Sequence, residues 1–161
     1  MSTTVVLGIG NILNRDEGVG VRALDHLREH LGEPDGLDLI DGGVLGLELL
    51  QIVESADRLL ILDAVDAGLE PGTVVELVGD EIPLYTKVKM SQHQVTFQEV
   101  LALAAMRDSM PPELHLIGVQ PADLSIGIEL SPEVESVVPE VAERAASVLT
   151  GWGARETPAW T

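Results

Sequence analysis

The chain has 161 residues, a length that suits one domain, which we expect to span residues 1–150. It contains no Cys, which excludes disulfides, iron–sulfur ligation and a cysteine nucleophile. Nine Lys and Arg against 27 Asp and Glu give a formal net charge of −18, and we find neither an apolar run of roughly 20 residues nor a signal peptide, so we expect a soluble cytoplasmic protein that binds neither nucleic acid nor membrane.

Hydrophobic periodicity and turn residues predict strands and helices that alternate along the chain. The predicted strands cover residues 4–8, 37–40, 58–65, 73–78 and 114–119, and the predicted helices cover residues 18–31, 45–53, 96–106 and 132–149. The strand at 73–78 alternates weakly, which favours an antiparallel edge. Ser131 is predicted to be the N-cap of the last helix, with Pro132 at its first position. We expect residues 151–161 to form a flexible tail.

This order of elements predicts an α/β fold, a three-layer α/β/α sandwich around a mostly parallel twisted sheet of about five strands. Right-handed crossovers favour the order 2-1-3 for the first three strands, so the ends of strands one and three would lie side by side. The run Leu59-Leu60-Ile61-Leu62 indicates a strand that is buried on both faces. In such sheets, ligands bind at the carboxyl ends of the strands.

Three polar side chains follow predicted strands or open predicted helices, and each has a structural interpretation as well as a functional one. Glu17 lies beside Asp16 at a helix start, where acidic residues also complement the helix dipole. Asp63 follows the apolar run near the end of a buried strand, where an unpaired charge is costly, although it also suits a cap or turn. His93 lies in a polar loop, where a single histidine is usually only a surface residue. Together, Glu17, Asp63 and His93 suit a divalent transition metal better than calcium.

The Gly8-x-Gly10 pair also suggests a nucleotide-binding enzyme. The third glycine of a G-x-G-x-x-G motif would fall at position 13, which is Leu13. Two acidic residues follow, where a pyrophosphate needs the positive end of a helix. The chain has neither a G-x-S-x-G elbow nor a P-loop. These observations argue against the nucleotide hypothesis.

Taken in order, the motifs resemble those of the nickel–iron hydrogenase maturation endopeptidases. They are Gly8-x-Gly10-Asn11-Ile12-Leu13, Asp16-Glu17-Gly18-x-Gly20, Asp41-Gly42-Gly43, Leu62-Asp63-Ala64, Ser91-Gln92-His93-Gln94, Gly118-Val119-Gln120-Pro121 and Leu130-Ser131-Pro132. The resemblance implies a phosphorylase/hydrolase-like fold. It also implies a cytoplasmic peptidase that removes a C-terminal extension from the hydrogenase large-subunit precursor after nickel insertion.

Carried over to this chain, the resemblance assigns nickel binding to Glu17, Asp63 and His93. The nickel would be the ion held by the substrate, and another divalent metal could take its place in a crystal. The resemblance also implies that the loop 41–43, with Asp41, Gly42 and Gly43, takes part in substrate choice.

The residues leave open how water would be activated. A metal could lower the pKa of the water, or one of Asp16, Glu17 and Asp63 could act as general base, as in an aspartyl protease. Because the chain shows no obvious nucleophile, a non-catalytic, metal-dependent checkpoint or chaperone for the same precursor is the alternative. We expect a monomer, since no exposed heptad or large apolar stripe is evident.

Overall fold

The computed structural model describes residues 3–32, 34–43, 46–84 and 97–153. Within these ranges the strands are β1 (Thr4–Ile9), β2 (Leu37–Gly43), β3 (Arg58–Ala64), β4 (Val74–Val78) and β5 (Glu113–Val119). The helices are α1 (Val19–Leu31), α2 (Glu48–Ser55), α3 (Phe97–Met106), α4 (Pro132–Glu135) and α5 (Val138–Gly151). Two 3-10 segments cover Arg15–Gly18 and Gly79–Leu84. None of the helices described is long and apolar enough to span a membrane.

The strands form one sheet in the order β2-β1-β3-β5-β4. The pairs β1–β2, β1–β3 and β3–β5 are parallel, and β4 pairs antiparallel with β5 at the edge. The predicted order 2-1-3 and the predicted antiparallel edge strand are therefore confirmed. Because the parallel strands all end on one side, the loops after β1, β2, β3 and β5 share the carboxyl edge of the sheet.

Helices cover both faces of the sheet, which confirms the predicted α/β sandwich. Leu60 and Leu62 of β3 point into a core shared with α1 and α5, whereas Leu59 and Ile61 point into a second core shared with α2 and α3. All four side chains are fully buried. A continuous apolar run is therefore required here, because successive residues of a strand face opposite sides and both sides are covered.

The C-terminal helical region differs from the prediction. One helix was expected over residues 132–149, but the structure divides it into α4 and α5. Pro139 lies in the first turn of α5 and has no backbone N–H to donate to Glu135, four residues earlier. The helix therefore restarts at Val138. The described residues end at 153, so most of the expected tail at 151–161 lies outside them.

Candidate active site

Two buried carboxylates lie at the carboxyl edge of the sheet. Glu17 belongs to the 3-10 turn Arg15–Gly18, which contacts β3, and Asp63 lies near the end of β3. Only 6% of Glu17 and 1% of Asp63 is exposed. One oxygen of Asp63 accepts a hydrogen bond from the Ala64 N–H at 2.8 Å. Burial of two carboxylates at one edge is costly unless hydrogen bonds or a cation compensate for the lost hydration.

Gly20 explains how the start of α1 comes so close to the end of β3. A Cβ on Gly20 would lie 2.1 Å from the carbonyl oxygen of Leu62 and 2.7 Å from that of Ile9. Any side chain at this position would push α1 away from the sheet. Gly20 is three residues after Glu17, and Leu62 directly precedes Asp63. The close contact between Gly20 and Leu62 therefore sets the distance between the segments that carry Glu17 and Asp63.

Gly10 has a similar structural role in the loop after β1. Its φ of 128° lies in the region that favours glycine, and a Cβ would lie 1.8 Å from the Glu17 carbonyl oxygen. Its N–H donates to the Gly43 carbonyl at 2.9 Å. The Gly8-x-Gly10 pair thus allows the chain to pack against its own backbone, and this accounts for the motif without a nucleotide.

Asp16 has a different environment from Glu17. It is fully buried, and its carboxylate accepts four hydrogen bonds. The donors are the N–H groups of Ala122 at 2.8 Å, Asp123 at 2.9 Å and Ser131 at 2.8 Å, and the hydroxyl of Ser131 at 2.8 Å. Such a carboxylate is fully engaged by protein donors, and it holds together the two ends of the segment 122–131.

Further hydrogen bonds join the segment 122–131 to the loop after β1. The Gly127 N–H donates to the Leu13 carbonyl at 2.9 Å, and the Arg15 N–H donates to the Gly127 carbonyl at 3.0 Å. Arg15 has a φ of 44°, which is uncommon outside glycine, and directly precedes Asp16. The two loops therefore form one hydrogen-bonded unit beside the 3-10 turn Arg15–Gly18, which we call the acidic turn because it carries Asp16 and Glu17.

Ser131 differs in part from the sequence prediction. It is the N-cap residue of α4 with Pro132 in the first turn, as predicted, but its side chain makes no capping hydrogen bond. The hydroxyl donates to Asp16 instead. The hydroxyl proton thus binds a charged, buried acceptor, and hydrogen bonds to a charged partner are stronger than neutral ones.

Gln120 is a residue of this edge to which the sequence analysis gave no role. It directly follows β5 and is 7% exposed. Its side-chain oxygen accepts from the N–H groups of Ala67 at 2.8 Å and Leu69 at 3.2 Å, and its amide nitrogen donates to Asp66 at 3.1 Å. Gln120 thus shapes the loop after Asp63. A glutamine directly after a buried strand was the available signal.

The segment 41–43 ends β2 on the same edge. Gly8 pairs with Asp41, and the register shifts so that Ile9 pairs with Gly43. Asp41 is exposed, whereas Gly42 is buried against the side chains of Ile9, Leu7 and Leu49. The carboxylate of Asp41 is thus accessible to solvent, whereas the position of Gly42 has no room for a side chain.

His93, the third predicted metal ligand, lies outside the described residues. In the part of the chain that is described, no group of three or more His, Cys, Asp or Glu side chains could hold a metal. The predicted metal site therefore stays a prediction, with two of its three residues brought to one edge.

Comparison with known proteins identifies the family. The model of a family described as "Hydrogenase maturation protease" (HycI) matches residues 21–148. The chain belongs to the hydrogenase maturation proteases. It is 46% identical to the hydrogenase expression/formation protein HupD of Rhizobium leguminosarum over 95% of this chain and 77% of that protein. It is 36% identical to the hydrogenase 2 maturation protease of Escherichia coli over 96% and 94% of the two chains.

The fold also matches solved structures of hydrogenase maturation proteases. The hydrogenase maturating endopeptidase HybD from Escherichia coli superposes with a TM-score of 0.86, at 36% identity and with 94% of both chains covered. A hydrogenase maturation protease HybD from Thermococcus kodakarensis superposes with a TM-score of 0.68 at 28% identity. As a hydrogenase maturation protease, the chain is a peptide hydrolase. Membership of this family argues against both the nucleotide-binding and the non-catalytic hypotheses.

Proposed function

We propose that this protease removes a C-terminal extension from the nickel-loaded large-subunit precursor of a nickel–iron hydrogenase. The observation that carries the proposal is the pair of buried carboxylates, Glu17 and Asp63, at the carboxyl edge of a sheet whose fold and sequence belong to the maturation proteases. A precursor that carries its own nickel would bring the cation to these carboxylates as part of the substrate.

The residue types suit that cation. Glu17 and Asp63 supply carboxylate oxygens, and His93 would add an imidazole nitrogen, a mixed set typical of divalent transition metals. The chain has no Cys, so a soft, tightly binding thiolate site is absent from it. We infer that the nickel belongs to the substrate and is recognised through these three residues, and that the protease needs no resident metal.

Among the three acidic residues first considered as general bases, Glu17 and Asp63 are the better candidates. Asp16 accepts four hydrogen bonds from the protein, so removal of a proton from water would have to compete with all of them. A base must come within hydrogen-bond reach of the attacking water. We therefore propose that Asp16 supports the acidic turn, and that Glu17 or Asp63, or the nickel itself, activates the water.

The exposed carboxylate of Asp41 and the backbone of Gly42 and Gly43 lie at the carboxyl end of β2, beside β1. We propose that this segment contributes to substrate choice, because a precursor that reaches Glu17 from the side of β2 must pass it. We further propose that the enzyme acts in the cytoplasm as a monomer.

Cleavage can be measured directly. Nickel-loaded and nickel-free large-subunit precursors are incubated with the protein, and the precursor mass is followed by intact-mass spectrometry. Loss of a C-terminal peptide from the nickel-loaded precursor alone is the expected result. No shortening of several nickel-loaded precursors would refute the proposal. Stable binding without cleavage would instead point to the checkpoint alternative.

A further inference from the structure

Among the residues that the structure describes, two hydrogen-bonded loops at the carboxyl edge of the sheet expose four large apolar side chains. We call them the apolar rim: Ile12, Leu13, Ile126 and Ile128. Their exposed fractions are 38%, 58%, 86% and 65%. Single exposed apolar residues are common, but a cluster on adjoining loops beside an active site is typical of a binding surface.

The loops that carry the apolar rim are held firmly in place. Between the two isoleucines, Gly127 is joined to the loop after β1 through both its N–H and its carbonyl. The Arg22 guanidinium donates to the Ile128 carbonyl at 3.0 Å, and the Asn14 amide donates to the Leu124 carbonyl at 3.3 Å. The backbone is thus fixed while the side chains of Ile126 and Ile128 face solvent. A preorganised apolar surface loses little entropy when it binds a partner.

A groove of about 760 Å³ continues from the rim and is lined by Arg22, His26, Ile128, Leu130, Glu135 and Val138, among others. Helices rise about 1.5 Å per residue, so Arg22 lies about 5 Å and His26 about 10 Å along α1 from its first residue. The groove therefore begins beside the acidic turn and runs along α1.

The charges around this surface are mainly negative. Asp123 and Glu129 are exposed on the loop, and Glu135 borders the groove. Two arginines lie among them: Arg15 is 3.8 Å from the Asp123 carboxylate, whereas Arg22 donates to the neutral Ile128 carbonyl and keeps its charge. The three acidic side chains therefore outnumber the two arginines. The whole chain has a net charge of −18. A partner that complements this surface carries apolar side chains next to Lys or Arg.

We propose that the apolar rim and its groove bind a segment of the precursor in which apolar side chains are flanked by basic residues. This inference rests on the proposed function, since it assigns the substrate segment that docks beside the same site. The rim would supply affinity and position, whereas Glu17 and Asp63 would act at the nickel. A variant of the rim should therefore change KM and leave kcat near its original value.

The test compares the Ile126→Ser/Ile128→Ser variant with Met106→Ser. Met106 is 83% exposed at the end of α3, on the opposite edge of the sheet, and serves as a matched control. We expect the rim variant to raise KM about tenfold with little change in kcat, as for loss of an interface hot spot. Met106→Ser should leave both constants unchanged. Equal KM values for the two variants would overturn the proposal.

The salt dependence of KM and the oligomeric state of the protein test the same proposal further. We expect Glu129→Gln/Glu135→Gln to weaken the salt dependence of KM, because the surface would attract basic residues less strongly. An unchanged salt dependence would refute the charged part of the proposal. A wild-type dimer in light scattering that the rim variant converts to a monomer would show that a second copy occupies the rim, and would also overturn it.

A binding measurement separates this inference from the proposed function. If the wild-type protein cleaves no precursor, the proposed function fails. Binding of the nickel-loaded precursor is then compared between the wild type, the rim variant and Met106→Ser by interferometry. Weaker binding by the rim variant alone would support the docking surface, and equal binding by all three would refute it.

Discussion

The carboxylate of Asp16 accepts hydrogen bonds from both the N–H and the hydroxyl of Ser131, which lies 115 residues further along the chain. Both distances are 2.8 Å. This double contact closes the segment 122–131 against the acidic turn, directly before Glu17. The turn that carries Glu17, a candidate catalytic residue, is therefore held in place by the loop that follows β5.

Replacement of Asp16 should be among the most destabilising single changes at this edge. Asp16→Ala leaves four donors without their acceptor, and buried donors that lose a charged partner cost roughly 1–3 kcal/mol each before water or relaxation compensates. We expect a loss of about 3 kcal/mol or more in the free energy of unfolding, measured in urea. Ser131→Ala removes one donor only and should cost about 1 kcal/mol. Equal, small losses for both variants would contradict the role assigned to Asp16.

Gly20 should not tolerate even a methyl group. In Gly20→Ala the new Cβ would meet the Leu62 carbonyl oxygen at 2.1 Å, so α1 must shift away from β3. Overpacking of this kind costs about 1–3 kcal/mol, and here it would also separate Glu17 from Asp63. We expect lower stability and little cleavage. Gly151→Ala is the control, because a Cβ added at this position would have no neighbouring atom within 4 Å. Wild-type cleavage by Gly20→Ala would show that this contact does not set the site.

Neutral replacements of the two candidate catalytic carboxylates should separate activity from stability. Glu17→Gln and Asp63→Asn keep the shape of each side chain and remove a buried charge. We expect each to lower kcat by at least about 100-fold, the usual contribution of a general base or of a charged ligand. The free energy of unfolding should stay within about 1 kcal/mol of the wild type or increase, since a neutral amide is cheaper to bury. Cleavage near the wild-type rate by either variant would remove that residue from the site.

Stability in acid should depend on Glu54, far from the site. The hydroxyl of Ser109 and then the guanidinium of Arg107 donate to this carboxylate and hold the pKa of Glu54 below its ordinary value. Because the folded pKa is depressed, the resulting stability is present above the pKa of Glu54 in the unfolded chain. It is lost as the pH falls through the folded value.

The variant Ser109→Ala removes the larger cause, so the pKa of Glu54 should rise toward its ordinary value. The free energy of unfolding should then depend less steeply on pH in acid. Both are measurable, by NMR titration of the Glu54 carboxyl carbon and by urea unfolding at several acidic pH values. Ser55→Ala is the control, because that hydroxyl donates to the Ile52 carbonyl. An unchanged Glu54 titration in Ser109→Ala would contradict the assignment.

Features of the fold that depend on local sequence patterns could be predicted from the sequence. The run Leu59–Leu62 predicted a central strand because a short, continuously apolar run is typical of a strand that is covered on both faces. Asp63 could be placed at the sheet edge because it ends that run. The role of Asp16 could not be predicted, because its donors are 106 to 115 residues away. Ser131 shows the same limit, since its hydroxyl donates to that distant carboxylate and accepts no capping hydrogen bond.

The proposed activity depends most on whether Glu17, Asp63 and His93 bind one cation together. The direct test is an anomalous diffraction map from crystals of the protein soaked in millimolar nickel. We predict one strong peak bonded to the carboxylates of Glu17 and Asp63 and to the imidazole of His93. A map with no peak at these carboxylates, or with His93 on the opposite side of the molecule, would contradict the account.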